Sequence, residues 1–193
     1  VLSGALDDVG SPIRENSGKS YRMGIELESM YKATNKLNIS ANISLSENKN
    51  IDYKTNYNGI ITDWGDTDIS FSPNIISSAG VQFNAFEDLT FILFNKFVGD
   101  QYMSNTESMI SKLSSYSTID FNMVHTIKNS KYFSEIVITA MLNNIFNKEY
   151  VSNGYYYTYD DNWSDPNIIT TIEGTGYYPQ AKRNFLLGFT FKL

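Results

Sequence analysis

No cysteine occurs among the 193 residues, which excludes a disulfide framework, a thiolate metal site and a cysteine nucleophile. Histidine is limited to His125, so a His-rich metal centre is excluded as well. Four prolines and the lack of long Ala/Glu/Lys/Leu runs argue against a mainly helical fold. No stretch approaches the ~18 consecutive apolar residues of a spanning helix; the densest run is Phe91-Ile92-Leu93-Phe94. Positive charge is the minority: 15 Lys and Arg against 21 Asp and Glu leave a net charge of −6. No basic stripe appears, so a nucleic-acid partner is not expected. There is neither an initiator Met nor a charged-then-apolar leader at Val1-Leu2-Ser3-Gly4. Val1 to Ser20 reads as the middle of a loop, and the chain is expected to be a piece of something longer.

What is present is a two-residue alternation. In Leu37-Asn38-Ile39-Ser40-Ala41-Asn42-Ile43-Ser44-Leu45-Ser46 every odd position is apolar and every even one is Asn or Ser. Successive side chains of a strand point to opposite faces, so this segment has one apolar and one polar face. The chain's last residues repeat the pattern, with Phe185, Leu187, Phe189, Phe191 and Leu193 on one side and Asn184, Thr190 and Lys192 on the other. Aromatic residues make up 15% of the chain, with 14 Tyr and 12 Phe.

The alternation predicts seven strands. They run from about Lys19 to Tyr31, Leu37 to Asn48, Pro73 to Asn84, Leu89 to Tyr102, Leu113 to Lys128, Glu135 to Asn144 and Ala181 to Leu193. Lys32 to Lys36, Ala85 to Asp88 and Asn129 to Ser134 are the short connectors. Lys49 to Ser72 is a long polar stretch, Met103 to Lys112 is middling, and a Tyr-rich loop of about thirty residues precedes the last strand. Connectors that are short and long in turn describe an antiparallel meander with tight turns at one end and extended loops at the other. Strands of at least ~9–11 residues with an apolar band and aromatic rims are what a transmembrane barrel needs. Lipid cannot hydrogen-bond an open sheet edge, so such a sheet must close. The expected fold is therefore an all-β, antiparallel, up-and-down transmembrane β-barrel segment. Seven strands are too few for a whole barrel. A soluble β-sandwich also uses strands with one apolar face, and remains open on alternation alone.

Several segments resemble the C-terminal barrel region of TonB-dependent outer-membrane receptors. Leu142-Asn143-Asn144-Ile145-Phe146-Asn147-Lys148-Glu149-Tyr150 is similar to the family's N-L-F-[ND]-K-x-Y signature after the penultimate strand. Gly176 to Phe185 resembles its approach to the final strand. Tyr21 to Glu28 resembles its R-G-x-E-L-E strand, and Lys96 to Tyr102 its K-Y-V-G-x-Q-Y segment. The family usually ends in Phe where this chain has Leu193, although Phe189 and Phe191 keep the aromatic character. The resemblance implies that residues 1–193 are the C-terminal portion of a 22-stranded barrel whose N-terminal plug lies outside this chain. It further implies active uptake of a scarce ligand of the iron–siderophore, haem or cobalamin class. The implied partners are outer-membrane lipid, that chelate, the barrel-assembly machinery at the last strand, and an inner-membrane TonB complex reached through the missing N-terminal region.

Candidate ligand contacts are Tyr155, Tyr156, Tyr157, Tyr159 and Trp163 in the Tyr-rich loop, since aromatic rings offer stiff contact area with a polar tip. Packing on neighbouring loops, or an aromatic girdle at the lipid boundary, would use the same residues. Arg22, Glu26, Glu28 and Lys96 are expected to face the barrel lumen, lining the ligand path, touching the plug or simply solvated. Asp63, Asp66 and Asp68 cluster around Gly65 as hard oxygen donors for Ca²⁺, but the spacing is not that of an EF-hand, and a turn is the expected reading. His125 is expected to pack at the tight-turn rim, with Asp120 on the opposite face. No phosphate loop, zinc motif or nucleophile elbow occurs, and neither catalytic residues nor a cofactor are expected. The rival functions are a soluble or surface-anchored glycan-binding β-sandwich, a passive porin and a barrel hydrolase.

Overall fold

The computed structural model of the protein describes the backbone of residues 2–6 and 12–14, and residues 18–57, 60–128, 132–164 and 168–193. Parts of the expected loop at Val1 to Ser20, of the turn at Asn129 to Ser134 and of the Tyr-rich loop lie outside the described residues.

Among the described residues, eight strands form one antiparallel sheet. After two short paired strands, β1 (Leu2–Leu6) and β2 (Pro12–Arg14), come β3 (Lys19–Lys32) and β4 (Leu37–Tyr57). They are followed by β5 (Ile60–Asp68), β6 (Ile75–Phe86) and β7 (Leu89–Val98). The two-residue strands β8 (Gln101–Tyr102) and β9 (Lys112–Leu113) pair with each other and flank a single 3₁₀ turn at Met109–Ser111. Next come β10 (Tyr116–Lys128), β11 (Glu135–Asn143), β12 (Val151–Asp161), β13 (Thr170–Pro179) and β14 (Asn184–Lys192). The sheet runs β14-β11-β10-β7-β6-β4-β3, with β5 paired to the far part of β4. Omitting β5, this is a meander of the seven strands read from the alternation.

The register carries the alternation across the sheet. Tyr31, Ile39, Val81, Leu93, Phe121, Leu142 and Phe185 are successive partners on β3, β4, β6, β7, β10, β11 and β14. A one-residue slip anywhere would turn a strand's apolar set to the other face, so this row pins the pairing. The next row joins Leu37, Phe83, Phe91, Met123, Ala140 and Leu187, and Phe91 stacks on Phe121. Glu28, Asn42, Ser78, Lys96 and Thr118 form a polar row on the opposite face.

This apolar face is not a buried core. Ile25 is 66% exposed, Leu27 62% and Phe189 55%, and no second sheet lies across them among the described residues. A sandwich would have placed its other sheet there. The tightly buried residues lie instead in the long connections at one end: Asn50, Tyr53, Thr67, Met103, Asn105, Ser111 and Leu113.

Four expectations need correcting. Val1 to Ser20 is not all loop, since β1 and β2 pair within it and β3 begins at Lys19. Lys49 to Ser72 is not a loop; β4 runs on to Tyr57 and returns as β5. The Tyr-rich segment is likewise largely a hairpin, β12–β13. The strands expected over Leu89 to Tyr102 and Leu113 to Lys128 are each interrupted, at Gly99-Asp100 and at Ser114-Ser115. At the first break the Gly99 amide still donates to the carbonyl of Ile75 at 2.8 Å, one step past the Ile76–Val98 pair, before the chain leaves the sheet.

Candidate functional site

The tight turns 33–36 and 87–88 lie at one end of the sheet, and the three long connections at the other. Those connections are the β4–β5 hairpin, the segment 99–115 and the β12–β13 hairpin. They interlock through the middle segment.

On one side, the side-chain oxygen of Asn105 accepts from Asn50 Nδ2 at 3.3 Å and from the Ser70 backbone N–H at 2.9 Å. Asn50 Nδ2 also reaches Thr67 Oγ1 at 3.3 Å, and the Phe71 N–H donates to the Tyr102 carbonyl at 2.8 Å. Lys49 pairs with Asp68 at 2.7 Å and approaches Glu107 at 3.7 Å. Its partner carboxylates, Asp68 first, hold the Lys49 ammonium above its ordinary pKa. Burying Asn50 and Asn105 without such partners would cost about 1–3 kcal/mol per group, so the network fixes one arrangement of the two connections.

On the other side, the β12–β13 hairpin lays one face on the same segment. A Cβ at Gly154 would stand 2.7 Å from Met103 Sδ, so the hairpin backbone sits directly on that buried methionine. Tyr177 donates its hydroxyl to the Ile110 carbonyl at 3.3 Å. Tyr156, on this inner face, donates to Glu173. Burial, and then the bond to Glu173, push its phenol up to about 12.

Tyr155, Tyr157 and Tyr159 point to the other, outer face. The pair Tyr155–Tyr157 has ring centroids 6.2 Å apart, Tyr157–Tyr159 6.3 Å, and Tyr159–Trp163 6.0 Å, with interplanar angles of 25°, 16° and 4°. Tyr178 adds a tilted ring 6.0 Å from Tyr155. Across the hairpin Tyr155 faces Gly176 and Tyr157 faces Gly174, and a Cβ at either glycine would overlap the tyrosine ring. The rings therefore lie across β13 instead of standing off it. Of the five aromatic residues expected to act together, four form this ladder and Tyr156 does not. Sequence reasoning missed Tyr178, Gly174 and Gly176; the signal was Tyr and Gly at alternate positions of 174–178.

Arg22, Glu26 and Glu28 share one face of β3, and the register places Lys96 on that same face, three strands away from Glu28. Arg22 donates to Asn48 Oδ1 at 3.4 Å. The same face carries a shallow concavity of about 290 Å³, lined in part by Met30, Ser40, Gly80, Gln82, Ile92 and Phe94. A second cleft, also about 290 Å³, separates segment 99–115 from the base of the β12–β13 hairpin and includes Lys112, Lys148, Glu149 and Tyr150.

The three aspartates around Gly65 have separate partners. Asp63 pairs with Lys54 at 2.9 Å and accepts from the Gly65 N–H, Asp66 accepts from the Asp52 N–H at 3.0 Å, and Asp68 holds Lys49. His125 sits beside the tight turn, its Nδ1 3.1 Å from the Asp88 carbonyl. Asp120, on the opposite face, accepts from the Asn144 N–H at 2.7 Å.

No protein-family model matches the sequence, and no curated protein matches it. Solved structures do match the fold. The siderophore receptor PiuA of Acinetobacter baumannii aligns over 98% of this chain with a TM-score of 0.69 at 17% identity. The ferric yersiniabactin uptake receptor FyuA of Yersinia pestis aligns over 90% with 0.60 at 16%, and the ferric-catecholate import receptor Fiu of E. coli K12, closed form, over 96% with 0.62 at 14%. The chain spans about a quarter of the length of these structures, covering 24%, 23% and 22% of them. Its fold is that of a segment of the barrels of these receptor structures.

Proposed function

We propose that the chain is the C-terminal barrel portion of an outer-membrane receptor that takes up an iron chelate. The observation that carries this reading is the apolar face of the seven-strand meander, continuous across every strand and left uncovered. An apolar surface of that extent needs an apolar environment, and strands of 9 to 21 residues are long enough to cross a bilayer. The open edges of β3 and β14 support a larger barrel. With seven strands in antiparallel succession these two run the same way, so they cannot pair antiparallel with each other. Strands contributed from outside residues 1–193 would close the wall.

In this reading the odd-numbered face of β3, β4, β7 and β14 meets lipid. Arg22, Glu26, Glu28 and Lys96 face the lumen and the plug, and the interlocked connections project outward to meet the ligand. The cleft holding Lys112, Lys148 and Glu149 is one of the surfaces offered; Lys112 is paired with Asp100 at 2.5 Å, and Lys148 is the cationic side chain suited to an anionic chelate. The plug, and the inner-membrane TonB complex that acts on it, belong to the missing N-terminal region. The strand β14 carries the assembly signal, with Phe189 and Phe191 stacked 6.5 Å apart. The role is transport, not catalysis.

Uptake of radiolabelled ferric siderophores by cells with and without the gene tests this. Uptake of at least one chelate that depends on both the gene and an intact TonB complex is expected. Equal uptake in both strains across hydroxamate, catecholate and carboxylate chelates would sink the reading.

A further inference from the structure

We propose that the outer face of the β12–β13 hairpin is a binding platform for a neutral oligosaccharide, whose pyranose rings seat along Tyr155, Tyr157, Tyr159 and Trp163. The inference rests on the hairpin lying outside the cell, and not on the nature of any transported chelate.

The first ground is the pose of the rings. Gly176 and Gly174 are the cross-strand partners of Tyr155 and Tyr157, and the rings take the space a side chain would fill. These two rings lie against the β13 backbone, Tyr157 part-exposed, and Tyr159, opposite Ile172, and Trp163 continue the row. Tyr155 stays 49% exposed, Tyr159 41% and Trp163 67%. The result is a row of flat apolar faces at intervals of 6.0 to 6.3 Å, nearly parallel toward the tip. The apolar C–H face of a pyranose stacks on such a ring, and a β-linked chain presents its rings at a comparable interval. Stiff aromatic rings give large contact area at small entropic cost.

The second ground is charge. No Lys or Arg occurs between Lys148 and Lys182, so nothing on the ladder attracts an anionic ferric chelate. The acidic side chains beside it are already engaged within the hairpin. Asp160 accepts from Thr171 Oγ1 at 2.7 Å, Asp161 accepts from the Trp163 and Ser164 N–H groups, and Glu173 accepts from Tyr156. These donors are neutral, so the carboxylates keep their charge, and Asp161 shares the outer face with the rings. A row of rings bordered by a carboxylate and by polar groups such as Asn153 and Thr170 repels an anionic chelate and suits a neutral polyol.

The third ground is position. A lipid-boundary girdle sits at the end of the spanning strands, but the hairpin begins beyond Asn143 and Asn184, where the β11–β14 pairing stops. At about 3.3 Å per residue, Tyr159 stands roughly 26 Å along the hairpin from Val151, too far for the bilayer rim.

The test uses the intact protein in a sugar-free detergent, with calorimetric titration of cellohexaose, maltoheptaose and the trianionic tris-catecholate of Fe(III). At least one neutral oligosaccharide is expected to bind saturably. Tyr157→Ala should weaken it roughly tenfold, the scale of one lost aromatic stacking contact. Gly174→Val, which keeps every aromatic residue but lifts Tyr157 from β13, should weaken it comparably while the barrel keeps its heat-modifiable gel migration. Failure of both oligosaccharides, unchanged binding in both variants, or loss of only the ferric catecholate in them would overturn the proposal. Oligosaccharide binding is read without iron and chelate uptake without sugar, so either reading can fail while the other stands.

Discussion

Asn105 in the segment between β8 and β9 accepts a hydrogen bond from Asn50 on β4, joining two almost fully buried amides that are 55 residues apart in the chain. Because the same Asn105 oxygen also takes the Ser70 N–H, one side chain holds the β4–β5 hairpin to the segment on which the aromatic hairpin rests.

Replacing Asn105 by Ala removes that acceptor from both donors. A cost of about 1–3 kcal/mol per buried polar group applies to the loop cluster, not to the barrel wall. Hydrogen exchange at the Ser70 amide should quicken by one or more orders of magnitude while amides of β10 and β11 keep their protection. Uniform acceleration across the sheet would show that the connection is not a local clasp.

The wall makes a sharper demand on neighbouring residues of one strand. Ile43 faces Leu27 and Ser77 across its two pairings, on the apolar side, and Asn42 faces Glu28 and Ser78 on the polar side. An Arg on the lipid face near the midplane costs about 2–4 kcal/mol. Ile43→Arg is expected to block folding into the heat-resistant form on detergent gels, and Asn42→Arg to permit it. Equal behaviour of the two variants would contradict the phase assigned to β4.

Tyr156 predicts a pH dependence at the alkaline end. Its phenol is raised from 10.0 to about 12 in the folded hairpin. An acid with a raised folded pKa favours folding fully below the unfolded value. Its contribution therefore holds below about pH 10 and is lost as pH rises toward 12. Ultraviolet titration of tyrosinate should show a component near pH 12 that disappears in Tyr156→Phe. If the variant instead removes a component titrating near 10, Tyr156 is not held against segment 99–115.

The wall was legible in the sequence because half of each strand meets an apolar phase and half a polar one, which leaves a period of two. The extension of β4 past Asn48 was not. The β4–β5 hairpin is buried at Asn50, Tyr53 and Thr67, but two of these are polar, and register shifts around Asp52, whose φ is 48°, break the period of two between Asn50 and Tyr53. Propensity was the surviving signal, in Thr, Tyr, Ile and Trp over 51–64. The aromatic hairpin failed for a different reason. Tyr155, Tyr156 and Tyr157 are consecutive, so both faces are aromatic and the alternation vanishes, although one face is buried on Met103 and the other is open. The sharing of one face by Arg22, Glu26, Glu28 and Lys96 followed from parity alone; the clasp at Asn105 did not, because contacts between distant loops leave no local pattern.

The most direct test of the account is a nitroxide scan of the intact protein in bilayers, with a single labelled cysteine introduced at each position in turn. Labels at Ile39, Ile43, Val81, Leu93 and Phe121 are expected to collide with dissolved oxygen and not with a water-soluble nickel chelate. Labels at Ser40, Asn42, Gln82 and Asn122 should lack that oxygen preference. Equal oxygen accessibility at the two sets, or free access of the nickel chelate to the odd-numbered set, would mean that this face does not meet lipid.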